Sequence, residues 1–265
     1  LDELGEHPAT GLSSRLIAGW RGLDQERQRA QQAQSRLAPA ILIAYGWIFT
    51  LVAFDFFMSL DPHWFSTLAG GYYFIGNLFL GLAFLTIVAV WSRRGLQLAK
   101  YVGPPQLHDI GKLLFGFSIL WAYMFWSQYL VIWYGDLAEE TEFLYHRMHG
   151  AWEPVSWTVF AMAFVIPFVV LLSRAVKTKP LALTAIAVIA FVGMWLERFI
   201  LISPSLWHAD SVPLGPIEFL VTMGTAGLFF WTYTTFLQTF PVLPIADPRL
   251  EPATAHPNAH DFHDV

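Results

Sequence analysis

The chain has 265 residues, of which 55% are hydrophobic, 17% aromatic and 13% charged, with a net charge of -5 and a mean hydropathy of +0.48. Soluble domains carry about 25% charged residues, so the composition excludes an ordinary soluble enzyme and points to an all-α, polytopic membrane helix bundle. The absence of cysteine excludes disulfides, iron–sulfur ligation and covalently attached c-type haem within this chain. It opens on Leu1 without a charged-then-apolar leader, and we read it as the remainder of a longer protein with further spans upstream.

Residues 1–37 form a polar, amphipathic segment. Leu12, Leu16, Trp20 and Leu23 recur at helical spacing, as expected of a surface helix on the membrane or a helical lead-in to the first span. Six spans are predicted within residues 38–240. The first is 38–60, ending in the turn DPHWFS. The second, 67–91, carries Gly70, Tyr73, Asn77 and Gly81 on one face, the pattern of close helix packing. A basic loop with Arg93, Arg94 and Lys100 leads to the third, 113–134, long enough at ~1.5 Å per residue to cross the ~30 Å hydrocarbon core. Its Gly116, Tyr123, Ser127 and Tyr134 align with Lys112, either for packing inside a bundle or along a polar path. The fourth, 152–172, contains Pro167, expected to kink it. The fifth is 181–202 and the sixth 217–240. Residues 241–265 form a cytoplasmic tail rich in Pro, His and Asp.

Alternating these spans places thirteen of the fifteen Lys and Arg on the side that holds both termini. Only Arg147 and the intramembrane Arg198 fall elsewhere. The positive-inside rule then makes both termini cytoplasmic in a multi-pass inner-membrane protein. The outer side is acidic, with Asp61, Asp136, Glu139, Glu140, Glu142 and Asp210.

A charge within a span costs about 2.5–3.5 kcal/mol at its centre on insertion scales. Asp55, Glu197, Arg198 and Glu218 all fall in the outer third of the predicted membrane region, with Asp61, His63, His149, Glu153 and His208 around its edge. Two readings stay open: Arg198 pairs with a carboxylate to brace the bundle, or the group is a protonatable cluster beside a quinone pocket or proton exit. Below Glu218, Thr222, Thr225 and Thr232 align as a candidate water file, although membrane threonines often bond their own preceding carbonyls. His108, Asp109 and Lys112 form either an inner mouth or a solvated loop. None of the nine histidines lies mid-span, so haem is not expected. No phosphate loop, HExxH zinc spacing or nucleophile elbow occurs, and no metal site is expected.

Residues 54–74 (FDFFMSLDPHWFSTLAGGYYF), 108–141 (HDIGKLLFGFSILWAYMFWSQYLVIWYGDLAEET) and 196–205 (LERFILISPS) together resemble the quinone-binding membrane subunit 2 of bacterial alternative complex III. That subunit is similar to the polysulfide-reductase membrane subunit, the NrfD-like family, and the resemblance covers roughly residues 12–245. It implies a ten-helix fold, of which these six spans are the C-terminal part. It implies a quinol:cytochrome c (or other high-potential acceptor) oxidoreductase of respiratory or photosynthetic electron transport. The implied partners are a homologous quinol-binding membrane subunit, an iron–sulfur subunit and multihaem c-type cytochromes, in a lipid membrane and without nucleic acid. No haem or iron–sulfur cluster is implied in this chain, and menaquinol or another quinone is its implied small molecule. The chain looks more like the paired subunit implicated in proton movement than the one holding the principal quinol site.

The expected function is therefore to help couple quinol oxidation to proton transfer. Asp55, Glu197 and Glu218 are the expected proton carriers, and Arg198 is the expected electrostatic partner. Lys112, Tyr123, Ser127, Thr222, Thr225 and Thr232 would line water, while Asp61, His63 and His149 are the candidate quinone contacts. The rivals are a structural anchor for extrinsic iron–sulfur and cytochrome subunits, and a proton-coupled secondary transporter.

Overall fold

The computed structural model describes residues 22–95, 102–207 and 211–239, and every regular element among them is helical. Leu12, Leu16, Trp20, Lys100, His208 and the tail 241–265 lie outside the described residues. Helix α1 (Leu23–Val52) continues through a π-helical turn (Ala53–Phe57) and a 3₁₀ turn (Met58–Leu60). Pro39 sits inside α1 where the polar lead-in becomes apolar, at the cost of one backbone donor. The lead-in and first span are thus one helix from Leu23 onward. After the turn, Trp64 is buried with its indole stacked on Phe143, the ring centroids 3.8 Å apart.

Helix α2 (Ala69–Gly95) buries Ala69, Tyr72, Gly76, Phe79, Ala83 and Thr86, a strict three-then-four spacing that makes one continuous face. The expected face of Gly70, Tyr73, Asn77 and Gly81 is only partly right. Gly70 does meet Thr50 of α1, but a Cβ on Gly81 would meet nothing. Helix α3 (Pro104–Gly135) starts on two prolines, with the Gly103 N–H donating to the Gln106 side chain at 3.0 Å, and stops at Asp136 in the left-handed region (φ 46°). Its buried face is Leu107, Gly111, Leu114, Ser118, Trp121 and Ala122. Lys112, Gly116 and Tyr134 are instead exposed, and of this line only Tyr123, itself exposed, borders a cavity, which corrects the expectation of an inward polar line. In a span apolar all round, polarity alone does not choose the packed face; close-fitting small and aromatic residues do.

The short α4 (Ala138–Met148) turns Phe143 and Arg147 inward on the expected outer side. The fourth span runs through α5 (Glu153–Phe160), a π-helical turn (Ala161–Val165) and α6 (Ile166–Leu171). Pro167 falls at the start of α6, so the expected break shows as a widened turn just before it. After α7 (Arg174–Thr178), α8 (Pro180–Leu206) packs on α2 and on that π turn. A Cβ on Gly193 would lie 2.7 Å from the Met162 Cβ, so only glycine allows the approach. Its buried stripe, Leu183, Ala187, Ala190, Met194, Glu197, Leu201 and Pro204, carries one carboxylate.

Among the described residues, five helical segments are long and apolar enough to cross a membrane: Gln28–Leu60, Ala69–Arg93, Pro104–Gly135, Gly150–Leu171 and Pro180–Leu206. The expected sixth is a helix, α9 (Pro216–Thr239), and falls outside this set. It touches α2 through Phe229 on Phe84 (centroids 5.3 Å) and Phe230 on Trp91 (6.5 Å), with most other side chains exposed.

Candidate functional site

Glu197 reaches the interior because it falls on the buried stripe of α8; Arg198, one residue on, is turned about 100° around the helix toward α2. The carboxylate is 3% exposed. Arg198 Nη1 lies 3.0 Å from Glu197 Oε2 and 3.5 Å from Oε1, a charge contact and not a bidentate fork. The guanidinium also donates from Nη2 to the Tyr73 carbonyl at 3.2 Å and sits 4.2 Å above the Tyr73 ring. Gly76 makes room for it, since a Cβ there would overlap Nη2. Tyr72 of α2 and Trp121 of α3 lie beside the carboxylate. Neither makes an aligned hydrogen bond to Oε2, and the buried Trp121 Nε1 has no hydrogen-bond partner among the described residues. The site is thus polar at its centre and incompletely satisfied.

Glu197, Tyr72 and Trp121 form one wall of a cavity of about 670 Å³ between α3, α4, α5 and α8. Its other walls are mostly aromatic, including Phe125, Trp126, Tyr129, Phe160 and Phe164. That volume is within the ~300–1,000 Å³ of small-molecule sites, and flat aromatic walls around a few polar groups suit a ring with oxygen substituents.

A second cavity of about 560 Å³ lies on the expected outer side. Its lining is far more polar than that of the first cavity, with Asp61, His63, Glu139, Glu142, His146 and His149. Asp61, His63 and His149 are therefore gathered as a group, but in this polar cleft and not in the aromatic cavity. Among the described residues, no cluster of three or more His, Asp or Glu is placed to hold a metal ion.

Of the remaining expected residues, only Tyr123 shares a cavity with Glu197. Asp55 is exposed on the π turn after α1. Glu218 caps its own helix, its Oε2 accepting the Gly215 N–H at 2.9 Å. The hydroxyls of Thr222, Thr225 and Thr232 donate to the carbonyls of Glu218, Val221 and Phe229 at 2.8, 2.9 and 2.8 Å. Lys112 pairs with Asp109 at 2.8 Å, both exposed. Tyr123 lines the aromatic cavity, and Ser127 donates to its carbonyl at 2.8 Å.

Three residues were not singled out from sequence: Tyr72, Trp121 and Arg147. Tyr72 was hidden by choosing the neighbouring face of α2, and Trp121 by the many aromatics around it. Arg147 gave a signal, as the one basic side chain of the predicted outer loops. It is 5% exposed, and burial pulls its guanidinium down to about 9, opposed by Asp61. It stays charged at neutral pH. Comparison with protein-family models and with curated proteins found no match to this chain.

Proposed function

We propose that this chain is a membrane subunit of a quinol-oxidising electron-transfer complex, in which Glu197 accepts and passes on protons released by the quinol. The observation that carries the proposal is a carboxylate, 3% exposed and paired with Arg198, in the wall of an aromatic cavity of ring-binding size. Oxidising a quinol to a quinone releases two electrons and two protons, and that redox chemistry belongs to the substrate. The electrons need an acceptor, which the resemblance supplies as an iron–sulfur partner subunit on the outer side. The protons need an ionisable side chain whose proton affinity is set by its neighbours. Arg198 holds the charge balance of Glu197, and Tyr72 and Trp121 line the approach.

The same reading includes six spans with both termini cytoplasmic in the bacterial inner membrane, as the C-terminal part of a ten-helix NrfD-like subunit of alternative complex III. Its partners are the homologous membrane subunit, the iron–sulfur subunit and multihaem cytochromes. The experiment is Glu197→Gln in the intact complex in vesicles. Proton release per electron should fall while the complex still assembles.

A specific observation favours the structural-anchor alternative. Arg198 ties α8 to α2 through the Tyr73 carbonyl and the space at Gly76, which is bracing. On that reading Glu197→Gln would disturb assembly and leave coupling in the assembled fraction unchanged.

A further inference from the structure

The end of the bundle where α3 starts and α6 finishes gathers cations from two elements. Lys112 on α3, with Arg174 and Lys177 on α7, all act on the His108 ring, and Asp109 opposes them. Asp109 is already held by Lys112 at 2.8 Å. Among the described residues, neither Arg174 nor Lys177 has a carboxylate partner. Three full positive charges thus face one negative charge, and the excess lies with Arg174 and Lys177.

The placement of Lys177 sets the depth of this excess charge. Its stem lies on α3, where a Cβ on Gly111 would come 2.9 Å from its Cγ. Its ammonium is 5.5 Å from the centre of the Phe115 ring, about one helical turn farther into the span than Gly111. Lysines at span ends usually turn the ammonium out to water. This one runs back along an apolar helix, so its charge sits at the border of the apolar region, where lipid headgroups meet acyl chains. A ring face attracts a cation but carries no net charge to neutralise it. At the same end, Leu113 of α3, Val169 of α6 and Leu172 just after it are exposed. Helices α3 and α6 pack there through the stacked rings of Phe115 and Phe168, with centroids 5.6 Å apart.

We propose that Arg174 and Lys177, with Lys112 and His108 beside them, bind the phosphate of an anionic glycerophospholipid whose acyl chains lie on Leu113, Val169 and Leu172. Charge complementarity favours this occupant: excess positive charge attracts a phosphodiester and repels the ammonium of a zwitterionic headgroup. Depth separates it from a free phosphate. A strongly hydrated ion gains little by moving to the edge of the apolar region, whereas a lipid phosphate is anchored there by its chains. Because α7 packs on both α3 and α8, the bound lipid ties those helices together at this end. The inference needs only that the chain spans a membrane, and it does not depend on the role of Glu197.

The test titrates the detergent-purified full chain with micelles of phosphatidylglycerol or of phosphatidylcholine bearing the same acyl chains. Apparent affinity is read from the rise in thermal midpoint. Phosphatidylglycerol should bind at least about fivefold tighter, and Lys177→Gln should weaken it by about fivefold, the factor carried by one cation near a headgroup. Lys177→Arg should keep the wild-type preference, because it keeps the charge. Arg36→Gln, on the exposed lead-in of α1, controls for bulk surface charge and should leave the preference unchanged. Inorganic phosphate and glycerol phosphate at matched concentration should give no shift. A shift as large as that of the lipid would make this a soluble-anion site and overturn the lipid assignment. Equal affinity for the two lipids would overturn it too, as would an Arg36→Gln loss equal to that of Lys177→Gln. If Lys177→Gln does not fold, Arg174→Gln decides: weakened phosphatidylglycerol binding supports the site, and unchanged binding overturns it.

Discussion

Helices α8 and α9 both carry polar residues in apolar runs, and they satisfy them in opposite ways. On α8, Arg198 reaches across to the Tyr73 carbonyl of α2, and Glu197 lies against Tyr72 and Trp121 of two other helices. On α9, Glu218 closes its own first turn, and Thr222, Thr225 and Thr232 return to carbonyls of their own helix. A polar group satisfied within its own helix is neutral about function. One that reaches across to a second helix, as Arg198 does, marks where the bundle has been built around it.

Breaking the α8 arrangement should therefore cost far more than breaking that of α9. The largest effect is expected from Arg198→Met, which leaves the Glu197 carboxylate without its charge partner. Removing one member of a buried pair costs about 3–5 kcal/mol, visible as a large loss in thermal unfolding of the detergent-purified complex. Gly193→Ala comes next, because the new methyl meets the Met162 Cβ and nearby backbone, which do not swing aside. Overpacking of this kind costs about 1–3 kcal/mol. Gly76→Ala should cost less in the same measurement, since the Arg198 headgroup and the Met194 tip yield; it should instead weaken the Arg198–Tyr73 contact and alter proton release. Thr225→Val on α9 should change stability by no more than about 0.5 kcal/mol and leave proton release as in the wild type. A Thr225→Val effect as large as that of Gly193→Ala would erase the contrast between the two helices.

Within pH 5–8 the smallest expected effect concerns pH. The Arg147 guanidinium is lowered to about 9 in the folded chain, so between pH 5 and 8 it is charged whether folded or unfolded and adds no pH dependence to stability. Above pH 9 the unfolded chain holds the extra proton, so this residue's contribution shifts toward the folded state as pH rises. Thermal midpoints of wild type and Arg147→Lys across pH 6–10 check the sign.

Much of this contrast was legible in the sequence. Glu197 and Arg198 stood out as charges in an apolar run, whereas Glu218, expected as a proton carrier, caps its own helix. The direction of α3 was not legible. Lys112, Gly116, Tyr123 and Tyr134 do share one side, yet the packed side is that of Gly111, Ser118 and Trp121, because a membrane helix packs by shape and not by polarity. The aromatic cavity was hidden for a related reason: in a chain 17% aromatic, ring residues alone do not outline a pocket. Arg147 was seen only as an outer-loop charge. Its burial depends on α4 folding back between α5 and α8, which local spacing does not encode.

The most direct test is infrared difference spectroscopy on the intact complex, comparing reduced and oxidised states as quinol is consumed. The account predicts a carboxyl C=O band that changes on turnover and is absent in Glu197→Gln. An identical spectrum in wild type and Glu197→Gln would contradict it, leaving Glu197 and Arg198 as a brace between α8 and α2.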